Sequence, residues 1–501
     1  MVSAEPLRQE YPTLGPVKGR DIRVVLVYPS SQDSVRTLYT FNRDQKIGFK
    51  PPQSILILGT YLRERGFSDV HCLDAQAERL SPEATAQRIA ELKPDVVGIT
   101  AWTDFWYPTW KTLEDTRVLL PDVTLIVGGP HASVYPSETM HASKADYVVA
   151  GDGEDVLLAV VTALSRGEPV SAEAGLWQRT SGAVRAPEQP LAQVRDLTKI
   201  PPPDRTLLPY RRYSSVLTPS DYETTMVTSR GCPYKCVFCK MDVQRVYART
   251  ADQVVEEFRQ IAELGIKDVQ VYDDTFTWGS ARAIDICKGI IDQGIEVNWA
   301  IRDRVNRVTP ELYSLLKQAG CYRVHFGVET GSPDILANSG KFMSLDQARQ
   351  AMDIARTVDM TVMTYFMFGF LEETREDAEK TLAFAKELDP DYVSFGVLIP
   401  YPGTAIYGEA LKRGIIPSDY WREFALAPQP NFRIPHVVED ILDRETLIRL
   451  KNDASRSFYL RPNRILRELR SLKSLKEFQA KVRLGASILT DGLNPLSVNR
   501  Y

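Results

Sequence analysis

The stretch TSRGCPYKCVFCK, residues 228–240, sets Cys232, Cys236 and Cys239 in a Cx3Cx2C spacing just past a strand-like run, TTMVTS at 224–229. Soft thiolates this close together on a loop can wrap one face of an iron–sulfur cube. Three ligands for four irons leave one iron open to a substrate, whereas a structural zinc site is normally closed by four. A zinc knuckle or three buried thiols are the plainer readings, and the position at a strand end favours the cluster. The other cysteines, Cys72, Cys287 and Cys321, lie in strand or helix contexts far along the chain. Six cysteines in 501 residues are no disulfide framework and fit a reducing cytosol.

Downstream of the loop, strand patterns recur at VQVYDD (269–274), NWAIR (298–302), RVHFGVE (323–329), TYFMFGF (364–370) and YVSFGVL (392–398). With the run before the loop they make six βα units. That number suits a (β/α)6 partial TIM barrel over residues 223–410, with its chemistry at the C-terminal strand ends. After about Ile406 the chain turns helical, giving a helical C-terminal domain over 411–501. Residues 451–490 carry ten Lys or Arg against three Asp or Glu, with apolar residues at helical spacing. The simpler reading is a solvated helix packed over the barrel mouth. The other is a basic amphipathic helix in peripheral contact with an anionic membrane surface.

Upstream, IRVVLVYP (22–29), DVHCLDA (69–75), DVVGITA (95–101), VTLIVGG (123–129) and YVVAGDG (147–153) alternate with helix-patterned stretches at 54–67, 82–94 and 107–121. This α/β alternation predicts a flavodoxin-like, Rossmann-like doubly wound parallel sheet over 21–170. Such sheets bind ligands beyond their strand C-termini. The tips there are Pro29-Ser30-Ser31, Thr100-Ala101-Trp102, Gly128-Gly129-Pro130-His131 and Gly151-Asp152-Gly153-Glu154. Residues 171–222 break the rhythm and read as a linker, with a hairpin at Leu176–Val184 and a stiff Pro201–Pro203. Residues 1–20 lack a signal-peptide core and read as a disordered lead-in. No apolar run reaches 18 residues, so a spanning helix is not expected and the chain reads as cytoplasmic. A net charge of -4 gives no argument for a nucleic-acid partner.

The three-cysteine motif, with Phe238 as the aromatic before its last cysteine, resembles the radical S-adenosylmethionine (SAM) superfamily. That resemblance implies a [4Fe–4S] cluster on Cys232, Cys236 and Cys239, with SAM on the open iron. By the same resemblance, Tyr272, Asp273 and Asp274 end the second barrel strand where the SAM amino group is held. Glu329 of Gly327-Val328-Glu329 matches a ribose contact, and Gly369 and Glu372 match a Gly-x-Ile-x-Gly-x-x-Glu stretch beside the adenine, with Tyr365 in place of its first glycine. Val397 is an adenine neighbour, and Arg302 reaches the SAM carboxylate. Ordinary strand-end capping is the plain alternative for these acidic residues.

A flavodoxin-like domain, a proline linker and then this barrel resembles the cobalamin-binding branch of the superfamily, over roughly residues 20–410. This is the branch of the class B radical SAM methyltransferases and of the anaerobic magnesium-protoporphyrin cyclase. VGGPHASVYP and ADYVVAGDGEDVL resemble loops found there. The cobalamin contacts this implies are Ser30, Ser31, Thr100, Trp102, Gly128, Gly129, Pro130, His131, Gly151, Gly153 and Glu154. No Asp-x-His-x-x-Gly motif is present, so a histidine on cobalt is not expected, and a domain that has lost cobalamin is the plain alternative.

The function implied is methylation of an unactivated carbon through a 5′-deoxyadenosyl radical and methylcobalamin. Such a carbon is neither nucleophilic nor acidic, so polar methyl transfer from SAM would fail there. The scheme needs cobalt and the SAM 5′-carbon to face one shared pocket. The alternatives are an oxidative cyclase or dehydrogenase without methyl transfer, a non-catalytic cobalamin or SAM sensor, and an RNA-modifying enzyme. The partners implied are a small-molecule or lipid-like substrate and an electron donor such as flavodoxin or ferredoxin.

Overall fold

The computed structural model describes residues 22–36, 48–180, 182–215, 218, 220–241 and 244–470. The expected lead-in at 1–20 and the basic stretch beyond residue 470 lie outside them. The chain divides into two compact units. Among the described residues, one takes in those up to Ser34, Pro52–Pro209 and Ala425–Pro430, and the other those of 35–51, Tyr210–Phe424 and those from Asn431 to residue 470.

In the first unit five strands run parallel: β1 (Val24–Tyr28), β2 (Val70–Asp74), β3 (Val96–Thr100), β4 (Thr124–Gly128) and β5 (Tyr147–Val149). Their order, β2-β1-β3-β4-β5, is that of flavodoxin-like sheets. β1 reads VVLVY, apolar without alternation, because both its faces are covered by helices. The order reverses between β1 and β3, and the crevice beyond their C-terminal ends is the expected ligand position.

The hairpin expected near Ser181-Gly182 forms from β6 (Leu176–Thr180) and β7 (Ala183–Arg185). It is not part of a free linker: β6 pairs antiparallel with β5 and continues the first sheet. Leu176 is buried there, and the proline stretch beyond stays in the same unit.

The second unit holds six parallel strands in sequential order: β8 (Glu223–Met226), β9 (Asp268–Val271), β10 (Asn298–Asp303), β11 (Cys321–Glu329), β12 (Thr361–Phe368) and β13 (Tyr392–Val397). Along β12 buried Val362, Thr364, Phe366 and Phe368 alternate with half-buried Thr361, Met363, Tyr365 and Met367. The buried set faces the helix layer, as a barrel wall requires. Phe366 and Phe368 stack on Phe395 of β13, which meets Phe458 edge-on at 6.4 Å. Further round, Phe258 and Phe276 pack on Trp299 at 5.4 and 5.3 Å.

Phe458 belongs to the helix Arg444–Tyr459, which therefore serves as the outer helix after the last strand. Tyr459 fixes its end, accepting from Val393 N at 2.9 Å and donating to Val393 O at 2.7 Å. Helix starts elsewhere in the wall carry capping boxes, Thr250 with Gln253, Ser344 with Gln347 and Thr374 with Asp377.

Candidate active site

The cysteine loop leaves the first barrel strand and is tied down at its start. Asp273, fully buried just past β9, accepts from Thr228 N at 2.6 Å, Ser229 N at 3.0 Å and both hydroxyls. Asp274 accepts from Gly231 N at 3.2 Å. These two carboxylates thus hold the loop that carries Cys232. Among the described residues these are the hydrogen bonds of Asp273, and both its oxygens are used to shape the loop. Asp274 stays protonated more readily than usual, because burial and then Asp273 oppose its charge.

Cys232 and Cys236 are half-buried and Cys239 is exposed. Burial pushes the Cys232 thiol up, against the Tyr234 backbone N–H and Arg304, which favour the thiolate. Burial, then Cys236, Asp274 and Cys232, push the Cys239 thiol to about 11. The thiols therefore sense one another's charge, and ligation of a cationic metal centre would release their protons. Among the described residues, no group of three or more His, Cys, Asp or Glu is arranged to hold a single ion. A cube takes one thiolate per iron, so its sulfurs need not converge on one point as zinc ligands must.

A strap runs along the back of the loop. Ser339 O accepts from Val237 N at 2.9 Å. Gly340, at φ +68°, sits so close to the Lys235 carbonyl that a Cβ would come within 2.5 Å of its oxygen. Lys341 is buried, pairs with Glu329 and lies 5.9 Å from the Phe238 ring centroid. Gly327 makes room for that pair, since a Cβ there would meet Lys341 Nζ at 2.5 Å. Phe238 itself packs edge-on against Phe370 at 5.8 Å.

The residues expected to contact SAM differ in exposure and partners. Glu372 is exposed and reaches Arg413 at 3.5 Å. Its neighbour Glu373 is the buried one: its carboxylate accepts from Gly369 N and from Phe370 N at 3.1 Å. Gly369 adopts φ +97°, and the turn it makes brings residue 373, not 372, back onto the strand end. Val397 shares the face of Phe395, so its side chain points to the helix layer and leaves only its backbone toward an adenine. Arg302 is exposed and lies over the Tyr272 ring, 4.1 Å from its centroid.

In the first unit, the tips of β1, β3, β4 and β5 sort by exposure. Trp102 is 45% exposed and Pro130 is exposed. Ser31, Gly128, Gly129, Gly151 and Gly153 are half-buried. Ser30, Thr100, His131 and Glu154 are buried. Ser30 Oγ donates to Leu80 O at 2.6 Å, a loop-forming role. His131 is fully buried and stacked on Trp106 at 4.5 Å; burial lowers its pKa to about 3. Its ring is part of the packing beside Trp106 and Tyr135. What faces outward at this edge is one broad aromatic ring among backbone amides, which suits a large flat ligand.

Two family profiles match the chain, the radical SAM superfamily over residues 226–385 and the B12 binding domain over 48–161. The uncharacterised methyltransferase PH0819 of Pyrococcus horikoshii is 33% identical over 453 residues, covering 89% of this chain and 95% of that protein. This chain belongs to the cobalamin-binding branch of the radical SAM superfamily. An anaerobic magnesium-protoporphyrin IX monomethyl ester cyclase of Rubrivivax gelatinosus is 27% identical over 452 residues, 87% of this chain and 77% of its own. The fold is that of the radical SAM methyltransferase TsrM of Kitasatospora setae, solved with cobalamin and a [4Fe–4S] cluster bound. The TM-score is 0.64 at 20% identity, over 79% of each chain.

The protein is therefore an enzyme whose cofactors are a [4Fe–4S] cluster, SAM and cobalamin. Three residues absent from the sequence expectation stand beside the cysteine loop and the strand ends: Arg304, Lys341 and Glu373. Arg304 Nη1 lies 3.9 Å from Cys236 Sγ. It stands two residues after Arg302, and two-residue alternation puts both on one face, a signal that was open to reading. Glu373 was one residue from the motif position. Lys341 had no signal, since only folding brings it to Glu329.

Proposed function

We propose that the protein methylates an unactivated carbon of a small-molecule substrate. One observation carries this: a single chain holds a three-thiol loop at the first strand end of a radical SAM barrel and a B12-binding domain match over residues 48–161, at 33% identity to an uncharacterised methyltransferase across nearly all of both proteins. When bound, SAM and cobalamin supply hydrogen abstraction and the methyl donor. The chain's own residues hold and orient. Cys232, Cys236 and Cys239 ligate the cluster, Asp273 and Asp274 fix their loop, and Glu329, poised on Lys341, offers its free oxygen to ribose hydroxyls. Trp102 and the glycine tips of β4 and β5 receive the corrin.

Turnover by anaerobically reconstituted protein tests the reading. Methylation yields S-adenosylhomocysteine and 5′-deoxyadenosine together, and the substrate gains one methyl group. The oxidative reading, favoured by the cyclase relative, yields 5′-deoxyadenosine without matching homocysteine product. A sensor yields neither.

Two finer points belong to the same proposal. A flavodoxin- or ferredoxin-like donor supplies the electron. Peripheral membrane contact, and with it a lipid-like substrate, is supported by the helix Pro462–Arg470, where Ile465 and Leu466 are 44% and 46% exposed. Flotation with anionic vesicles should then show salt-sensitive binding, and its absence removes this point. Among the described residues no helix is long and apolar enough to cross a membrane.

A further inference from the structure

We propose that Arg304 is a positioning residue for the cluster, a buried cation that donates to the Cys236 sulfur and raises the cluster's reduction potential. This rests on the cluster assignment above. Arg304 follows β10 and is only 7% exposed. Its guanidinium lies 3.6 Å from the Tyr234 ring centroid, donates to the Lys341 carbonyl and reaches Cys236 Sγ at 3.9 Å. Its Nε is buried with no hydrogen-bond partner, and no carboxylate pairs with it among the described residues. A buried cation without a counter-ion is costly, so the structure keeps it only where negative charge gathers.

That charge is the thiolate face of the cluster. The three thiolates carry one negative charge each, and reduction adds one electron to the cube they hold. A fixed cation beside one sulfur favours the more negative, reduced state, and an N–H donor to sulfur acts in the same direction. The location matters as well. Tyr234 and Cys236 are on the loop and Lys341 is on the strap, so one side chain locks loop, strap and strand end together. Glu329, the ribose candidate, is held by the same Lys341.

The test is a potentiometric titration of the reduced-cluster electron paramagnetic resonance signal, with dithionite as reductant, on reconstituted full-length protein normalised by iron and sulfide content. Arg304→Gln should make one-electron reduction about tenfold less favourable, which for such a couple is about 59 mV. Arg304→Lys, which keeps the charge, should recover most of that shift. A fully loaded Arg304→Gln protein with the unaltered midpoint overturns the role, as does an Arg304→Lys midpoint no higher than that of Arg304→Gln. Should Arg304→Gln fail to take up iron, unaltered protein labelled with [15N]arginine decides. A guanidinium nitrogen coupling in the reduced-cluster signal supports the role, and its absence overturns it. Unaltered protein that binds no iron at all instead overturns the cluster assignment, and this role with it.

Discussion

Glu373 accepts two backbone N–H groups through one oxygen, while its other oxygen is buried without a partner. Burial raises its pKa from 4.5 to about 7, against the opposing pull of those N–H groups. The folded state therefore holds a proton that the unfolded chain gives up near the ordinary value. The stabilisation from that proton is complete below the unfolded pKa and is lost as pH rises through about 7. Glu373→Gln keeps the shape without the titration. Its stability advantage over the unaltered protein should grow by roughly 3 kcal/mol between pH 4.5 and pH 8. Thermal midpoints of both proteins across that range would measure it, and a constant gap would remove the assignment. Glu329 makes a different case, since its partner is a cation. Glu329→Ala strands Lys341 in the interior, a loss on the order of 3–5 kcal/mol. The same change should weaken SAM binding while cobalamin binding holds. Adding Lys341→Met should restore stability without restoring SAM affinity. Recovery of both together would mean that Glu329 acts only as the counter-ion of Lys341.

Whole elements were easier to read than their neighbours in space. Period-two alternation in TVMTYFMF and unbroken apolar runs such as VVLVY reflect which faces helices cover, so the parallel strands of both sheets were legible. The Cx3Cx2C loop was legible because its chemistry is local. The hairpin was found in sequence, but not that β6 would extend the first sheet, because strand pairing depends on partners some thirty residues away. The turn to helix after about Ile406 was legible, but not that Arg444–Tyr459 would pack Leu447, Ile448, Ala454 and Phe458 inward. A helix that completes a barrel wall should be required for the wall. Phe458→Ala opens a cavity beside Phe395 and should cost about 3–5 kcal/mol, read as a lower unfolding midpoint. An unchanged midpoint would make this helix an appendage, not part of the barrel.

At the scale of the whole molecule, the two cofactor sites draw on different units. The cluster cysteines, Asp273, Asp274, Arg304, Glu329 and Lys341 all come from the second unit, and Trp102 with the tips of β1, β3, β4 and β5 from the first. Each unit also has its own hydrophobic interior, with Val24–Val27, Val96, Val97 and Leu125 buried in one and Phe258, Trp299 and Phe366 in the other. A change confined to a half-exposed thiol of the second unit therefore leaves the first sheet's packing untouched, because that packing lies within the first unit. Cys236→Ala should lose the broad iron–sulfur absorption and all SAM cleavage while retaining corrin bands at close to the unaltered stoichiometry. The complementary change, Trp102→Asp, places a charge where the flat ligand would lie. It should deplete corrin at least tenfold and leave the iron content unchanged. Anaerobic ultraviolet–visible spectra with iron and cobalt analysis on both variants read the two sites separately. Joint loss of both cofactors from either variant would mean that the sites are coupled through a structure neither unit holds alone.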